Sequence, residues 1–493
     1  MARTNLIRAE AGRTLPPVRA VRYLSLHISE RKLLLALVDV LVINIALFLT
    51  LVLRERLDSS WQAFWGRISW FAILSGVWLV CAFTLECYNL SRAANFRYFS
   101  GRISSSVLVT SSIYLFIPLV TPELPTSRLA FIAFPVLGLM GLTVWRTFYA
   151  SVLVQPGFHQ RALIIGAGWA ARTLAETIEA MNRGNGVAYH SIGYDIIGYV
   201  DDDVAKQGAL IAGARVLGTG RELVQLVHQL APNELILGIT HPETIHSELF
   251  SAILECREMG VSITTMATMH ERLTGRVPLE HAGRALNVAL PLSQRATHRS
   301  YLVLKRIFDF GIALIGCLIL VLMIPIVSLA NRFTAPGPLL YHQVRVGKGG
   351  QTILVTKFRS MVVDAEEHTG AVWATQHDPR VTPVGRFLRK TRLDEVPQFW
   401  NILKGDMSLI GPRPERPHFV DQLVQQIPFY RVRHAVKPGL TGWAQVLFPY
   451  GASVDDALSK LEYDLYYIKN QSILLDISIL LKTIPIVLGF KGW

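Results

Sequence analysis

Asp394 and Glu395 stand side by side in Arg392-Leu-Asp-Glu-Val-Pro-Gln398, behind the basic stretch Arg386 to Lys390 and ahead of an amphipathic run ending at Gly405. Asp at an N-cap, Glu next and Pro in the first turn all suit a helix start, because none loses an intrahelical bond and the acids oppose the dipole. Alone, the pair reads as a cap rather than as chemistry. The reading changes with Gly411-Pro-Arg-Pro414, where an apolar strand from Met407 to Ile410 runs into an arginine between two prolines. Pro414 restricts Arg413 to extended angles and Pro412 fixes its own φ. A guanidinium presented this way suits bidentate phosphate recognition, although a rigid turn pairing with a surface acid would look the same. Upstream, Tyr341 to Val346 and Gln351 to Phe358 flank the glycine-rich stretch Gly347 to Gly350 as a hairpin would. Alternation places Lys357 and Arg359 on one face of its second strand, where by themselves they read as solvated charges.

These residues occupy the last part of a chain of 493 residues, long enough for about three domains of roughly 100–200 residues each. Half the residues are hydrophobic and gather in blocks, as in a protein with membrane segments and soluble parts. The net charge of +13 fits cytoplasmic loops, anionic lipid and phosphorylated substrates, and we read it that way rather than as a nucleic-acid surface. Cys81, Cys87, Cys256 and Cys317 form no C-x-x-C pair, which argues against a disulfide or zinc framework.

Residues 1–155 read as a basic cytoplasmic tail and four transmembrane helices: Leu33 to Leu53, Trp70 to Leu85, Ser104 to Val120 and Leu129 to Trp145. The basic N-terminus and the Arg92, Arg97, Arg102 loop fall on one side, and Thr121 to Ser127 carries no Lys or Arg, so both ends of the bundle are expected in the cytoplasm. Asp39, inside the first span, fits a proton relay or a helix–helix contact, the second being commoner.

Residues 156–298 read as a Rossmann-like, doubly wound α/β domain. Arg161 to Ala171 runs from an apolar strand through Gly166 and Gly168 to Ala171, a G-x-G-x-x-A pattern that lets phosphate approach a helix N-terminus. The motif alone is weak, and the run Asp201 to Asp203 lies beyond the usual ribose-binding distance, so nucleotide binding and a purely structural domain both stand.

Residues 299–493 read as an α+β domain introduced by a fifth apolar stretch, Phe310 to Ala330, containing Pro325. Basic flanks at both ends favour a re-entrant helix over 306–332, with the proline supplying the break; a kinked spanning helix is the alternative. Ile473 to Phe490 is apolar but carries Asp476, Lys482 and Pro485, which fits an interfacial helix.

Lys357 to Met361, Arg386 to Gln398, Gly405 to Pro414 and Lys437-Pro-Gly-Leu-Thr-Gly-Trp-Ala-Gln-Val446, in that order, resemble the bacterial polyprenyl phosphoglycosyl transferases in their large monotopic form. The resemblance implies that Asp394 attacks the β-phosphorus of a UDP-sugar, UDP-glucose or UDP-galactose, expels UMP and keeps the phosphosugar. Polyprenyl (undecaprenyl) phosphate then takes it, as the first membrane step of exopolysaccharide synthesis. It further implies that Asp394 and Glu395 hold Mg²⁺ and that Lys357, Arg359 and Arg413 serve phosphate and fix the pair. It implies an inner-membrane, multi-pass protein with its catalytic domain on the cytoplasmic face, and leaves a homodimer open. One departure, Leu447 to Ser453 in place of a more polar continuation, leaves the sugar undecided. The Tyr463 to Tyr467 segment also looks family-like, and Asp464 in it could order the site.

Two rival readings remain. A membrane-bound NAD-dependent nucleotide-sugar dehydratase or epimerase would need a Tyr-x-x-x-Lys pair, and Tyr301 to Lys305 fits that string. A non-catalytic polysaccharide-assembly scaffold would use the basic surface for lipid alone, against which the dense pattern from Asp394 to Pro414 argues.

Overall fold

The computed structural model describes residues 28–53, 68–85, 87–88, 96–115, 128–153, 160–183, 194–239, 245–279, 297–363, 365, 378–448, 451 and 453–489. The basic residues ahead of Ile28, Arg92 and the 121–127 connection, on which the sequence-based topology leans, lie outside this set. Two compact units emerge, Met1–Met266 and Ala267–Trp493.

In the first unit, four helices, α1 (Ile28–Leu53), α2 (Ile68–Thr84), α3 (Phe96–Leu115) and α4 (Arg128–Phe148), share one core. α1 shows why. Leu35, Asp39, Ile43 and Leu47 point inward, while Leu33, Leu37, Leu41, Ile45 and Leu49 stay exposed, so an apolar stripe faces outward. An apolar outer surface is what lipid accepts and water does not. Gly138 and Gly141 of α4 let α1 come close, since a Cβ at either would strike Ile43 or Val42. Asp39 joins Arg146 at 2.5 Å with both side chains fully buried, so it serves the helix–helix contact. α3 begins eight residues before the apolar stretch that marks it in the sequence. Three described helical stretches are long and apolar enough to cross a membrane: Lys32–Val52, Ile132–Ser151 and Arg299–Thr334; Ile68–Phe83 is shorter.

The same unit holds a six-stranded sheet of β1 (Gln160–Ile165), β2 (Tyr194–Val200), β3 (Leu210–Ile211), β4 (Ala214–Gly218), β5 (Glu234–Leu237) and β6 (Ser262–Thr265), in the order β3-β4-β2-β1-β5-β6. Only β3 runs antiparallel. With α5 (Trp169–Arg183), α6 (Leu223–Leu230) and α7 (Ser247–Glu258) as connections, this is the Rossmann-type order, and a strand buried on both faces explains the unbroken apolar run of β1. Gly166 adopts φ +93 at the turn after β1, and Ala171 is buried in α5, beside Gly238. The N–H of Ala167 donates to Asp201 Oδ2 at 2.6 Å, so the chain's own carboxylate at the end of β2 takes this glycine-turn amide.

The second unit begins with most of α8 (Met266–Thr274), residues that the sequence reading gives to the Rossmann-like domain. They pack here because Lys469 donates to Glu271 at 2.7 Å, Trp443 Nε1 donates to the Gly275 carbonyl at 2.9 Å, and Arg276 pairs with Glu462. Next comes α9 (Thr297–Thr334), a 38-residue helix that runs on through Pro325. The break expected at that proline is not seen. At 1.5 Å per residue α9 spans about 57 Å, and both its halves pack on the same unit. In its first half Arg306 donates to the carbonyls of Ile402 and Leu403 at 2.8 and 2.9 Å, Asp309 Oδ1 accepts from the Leu409 N–H at 3.0 Å and Ala313 is fully buried; in its second half Val327 lies against Phe358, Leu388 and Val396. Its outer face is exposed and apolar, through residues such as Leu314, Leu318, Leu322 and Leu329.

After α9 come the antiparallel hairpin β7 (Leu340–Val346) and β8 (Thr352–Phe358), then α10 (Pro383–Lys390), α11 (Gln398–Lys404) and β9 (Ser408–Ile410). α12 (Pro417–Gln426), β10 (Gly439–Thr441), α13 (Trp443–Leu447), α14 (Val454–Lys469) and α15 (Ile473–Leu488) complete the unit, with β10 parallel to β9. The hairpin turns at Gly349 and Gly350, both at positive φ, where glycine carries no Cβ penalty.

Candidate active site

Asp394 and Glu395 lie in a single 3-10 turn, Leu393–Glu395, between α10 and α11. Asp394 is therefore not the N-cap of the helix that follows. Arg392 takes a left-handed conformation, φ 62, two residues after α10 ends, and its carbonyl accepts the Glu395 N–H at 3.2 Å, so the turn starts at Arg392. α10 is itself well fixed. Thr382 caps it, its Oγ1 accepting the Gly385 N–H at 2.9 Å, and Pro383 follows at the first helical position.

Both carboxylates are buried, and their surroundings separate them. Glu395 Oε1 accepts from Lys357 Nζ at 3.0 Å and from Arg413 Nη2 at 2.9 Å. Burial would raise its pKa, but Lys357, Arg413 and Arg392 hold the carboxyl well below its usual range. Burial, reinforced by the adjacent Glu395, pushes Asp394 up to about 6 against the pull of Lys357, Arg389 and Arg392. Asp394 faces a cleft of about 610 Å³ whose wall also carries Lys357, Arg345, Arg380, Arg389 and Arg416. That density of cations around one carboxylate suits a ligand with several phosphate charges.

Arg413 is held by its backbone. The Gly411 N–H donates to the Thr441 carbonyl at 2.9 Å, and Arg345 Nη1 donates to the Pro414 carbonyl at 3.0 Å. Arg433 Nη2 donates to the Arg413 carbonyl at 3.1 Å and to Asp464 Oδ2 at 2.9 Å. Asp464 thus touches the site through Arg433.

Of the five candidates, the structure brings Asp394, Glu395, Lys357 and Arg413 together. Arg359 lines the same cleft, but its guanidinium donates to the carbonyls of Ala335 and Pro336, at the end of α9. The strand stops at Phe358, so the alternation that aligned it with Lys357 does not extend to Arg359. Gly166, Gly168 and Ala171 belong to the first unit, the two glycines in the turn after β1 and Ala171 in α5. Arg345, Arg433 and Arg389 were missed. Each sits in a chain crowded with arginines, and only the three-dimensional arrangement distinguishes them. Tyr301 and Lys305 both bond to Asp476, at 2.9 Å each, so the Tyr-x-x-x-Lys string ties α9 to α15.

Among the described residues, no group of three or more His, Cys, Asp or Glu side chains is placed to hold a metal. Two adjacent carboxylates nevertheless match the donor set of magnesium, which is commonly held by one or two carboxylates plus substrate phosphate.

Comparison with known proteins decides the family. A family described as bacterial sugar transferase matches residues 300–490, and one described as CoA-binding domain matches 83–267. A UDP-glucose:undecaprenyl-phosphate glucose-1-phosphate transferase of Xanthomonas campestris pv. campestris is 39% identical over 359 residues, 71% of each chain. The chain belongs to the bacterial sugar transferases. Among these sugar transferases, a UDP-N-acetylgalactosamine-undecaprenyl-phosphate N-acetylgalactosaminephosphotransferase of Aeromonas hydrophila is 43% identical over 48% of this chain and 55% of its own. The UDP-glucose:undecaprenyl-phosphate glucose-1-phosphate transferase of Escherichia coli (strain K12) is 45% identical over 39% of this chain and 40% of its own. The match therefore spans about half the length of these two sugar transferases.

Proposed function

We propose that this chain moves hexose-1-phosphate from a UDP-sugar to undecaprenyl phosphate in two displacements at Asp394. A carboxylate oxygen of Asp394 attacks the β-phosphorus, a bond forms between them, and the bond from that phosphorus to UMP breaks. A phosphate oxygen of the lipid then attacks the same phosphorus and releases the Asp394 carboxylate, giving undecaprenyl-diphosphate-sugar. Two assisted steps replace one difficult displacement between anions.

The observation that carries this reading is Asp394 opening into a cationic cleft beside a glutamate whose charge is already countered by Lys357 and Arg413. Glu395 keeps those two cations in place, and the cleft arginines neutralise the diphosphate and the departing UMP. Asp394, with substrate phosphate and with Glu395 directly behind it, would hold Mg²⁺ on the side of the basic cleft, and the ion would supply further charge neutralisation at the phosphates. The activities for which the relatives are named support the undecaprenyl acceptor. They differ in the sugar, so glucose, galactose and N-acetylgalactosamine all remain candidates for the donor.

The membrane placement belongs to the same proposal. The four N-terminal helices cross the inner membrane, and α9 dips into one leaflet from the cytoplasmic face. Support comes from the fastening of both ends of α9 to one unit, through Tyr301 and Lys305 on Asp476 and through Arg359 on the Pro336 carbonyl, which leaves neither end free on the far side.

The test is incubation with UDP-sugar, Mg²⁺ and undecaprenyl phosphate. UMP should appear, and Asp394→Asn should abolish UMP release and covalent labelling by sugar-phosphate, a loss of at least about 10³-fold. Release of UDP instead, or normal labelling of Asp394→Asn, defeats the reading.

A further inference from the structure

The two neighbouring carboxylates open on different cavities. Asp394 faces the basic cleft, whereas Glu395 borders a second cavity of about 310 Å³ with largely apolar walls, among them Leu393, Val396, Phe399, Leu480 and Ile486. We infer that this slot receives the first isoprenoid units of the polyprenyl phosphate, leaving the lipid phosphate beside Arg392 and next to Asp394. The inference rests on the transferase reading and adds to it a separate site for the acceptor.

Chemistry separates the two cavities. A nucleotide diphosphate needs cations, which line the first; a branched hydrocarbon needs apolar walls, which line the second. Geometry joins them at one peptide unit, as a reaction requires when donor and acceptor exchange the same phosphorus. The slot's own wall contributes Arg392, one cation for one phosphate group. The Glu395 charge does not repel that phosphate strongly, because Lys357 and Arg413 already counter it.

The slot is also continuous with a lipid-like surface. One wall is α15, through Leu480, Thr483, Ile486 and Val487, and the same helix exposes Leu474, Ile477 and Ile484. Val487 both lines the slot and is exposed on α15, so a hydrocarbon tail can enter from that apolar surface. α15 is fastened at two points, one before the slot and one within its wall. Asp476 bonds Lys305, Tyr301 and Tyr467 at 2.9 Å each, and Thr483 bonds Thr441 at 2.8 Å. The wall is thus held in position before the acceptor arrives, which lowers the ordering cost of binding.

The experiment uses the full chain in nanodiscs with a polyprenyl phosphate carrying a photoreactive group on its second isoprene. Crosslinks are expected in 440–446 and 480–487, displaced by undecaprenyl phosphate and not by phosphatidylglycerol. Crosslinks confined to the outer face of α9, or equal displacement by phosphatidylglycerol, overturn the inference. A second arm fills the slot with Val446→Trp. The KM for undecaprenyl phosphate should rise about tenfold while the KM for UDP-sugar stays within about twofold; an unchanged lipid KM, or an equal rise in both, counts against the slot. Labelling of Asp394 by UDP-sugar without lipid tests the transferase reading separately, so its failure would not be confused with a failure of the acceptor site.

Discussion

Arg433 donates to the backbone carbonyl of Arg413 at 3.1 Å. The arginine that touches Glu395 is therefore positioned by a second arginine, which is itself buried against Asp464. Breaking a buried pair from one side leaves an uncompensated charge, at about 3–5 kcal/mol. Asp464→Ala should lower stability by that amount in denaturant unfolding. The double variant Arg433→Met with Asp464→Leu should recover most of the stability but leave kcat reduced, about ten- to a hundredfold, because the Arg413 carbonyl has lost its donor. Recovery of both would make the pair a purely structural one.

Glu395→Gln removes the charge that Lys357 and Arg413 share while keeping the shape of the side chain. Turnover should fall about a hundredfold and the Mg²⁺ concentration for half-maximal rate should rise. Chelation with EDTA should stop turnover in the parent chain. A magnesium titration of both proteins checks this, and an unchanged half-maximal concentration takes Glu395 out of the metal site.

Gly385 sits where α10 crosses the backbone of Ser360, and a Cβ there would lie inside the contact distance of the Ser360 carbonyl oxygen. Gly385→Ala should destabilise the chain by about 1–3 kcal/mol through overpacking, despite alanine's better helix propensity. It should also reduce activity, since α10 leads directly into the turn that carries Asp394. Thermal unfolding and UMP release measured on one preparation test both.

His434 is held neutral, with burial and then Arg433 and Arg431 lowering its pKa to about 4. The unfolded chain takes up a proton near 6.5 that the folded chain refuses until about 4, so this residue's contribution to stability is lost as pH falls through that window. His434→Gln should therefore lose less Tm than the parent between pH 6.5 and 4.5. Identical slopes for the two proteins would show that other groups govern the acid limb.

The Rossmann-type sheet was legible in the sequence because β1, β2 and β5 are short apolar runs beside a glycine turn, and the hairpin was legible because Gly347 to Gly350 interrupts two alternating runs. The grouping of Asp394, Glu395, Lys357 and Arg413 could be anticipated from the motifs, but their individual contacts could not. Arg359 follows Lys357 by two residues, yet the strand ends between them and sends its guanidinium to the end of α9. Arg433 and Arg345 act on backbone carbonyls far along the chain, a contact type that leaves no mark in residue spacing. Pro325 misled in another way. Proline removes one intrahelical bond, and in a helix of 38 residues packed at both ends the remaining bonds carry the chain through.

Arg359 and Lys357 also fasten one strand end to two different things, the terminus of α9 and the carboxylate of Glu395. If α9 lies in lipid, a bilayer of mismatched thickness tilts that helix. The tilt then reaches the carboxylates of Glu395 and Asp394 across two residues of chain. Reaction rate in this protein would vary with acyl-chain length of the surrounding phospholipid, even with donor and acceptor saturating.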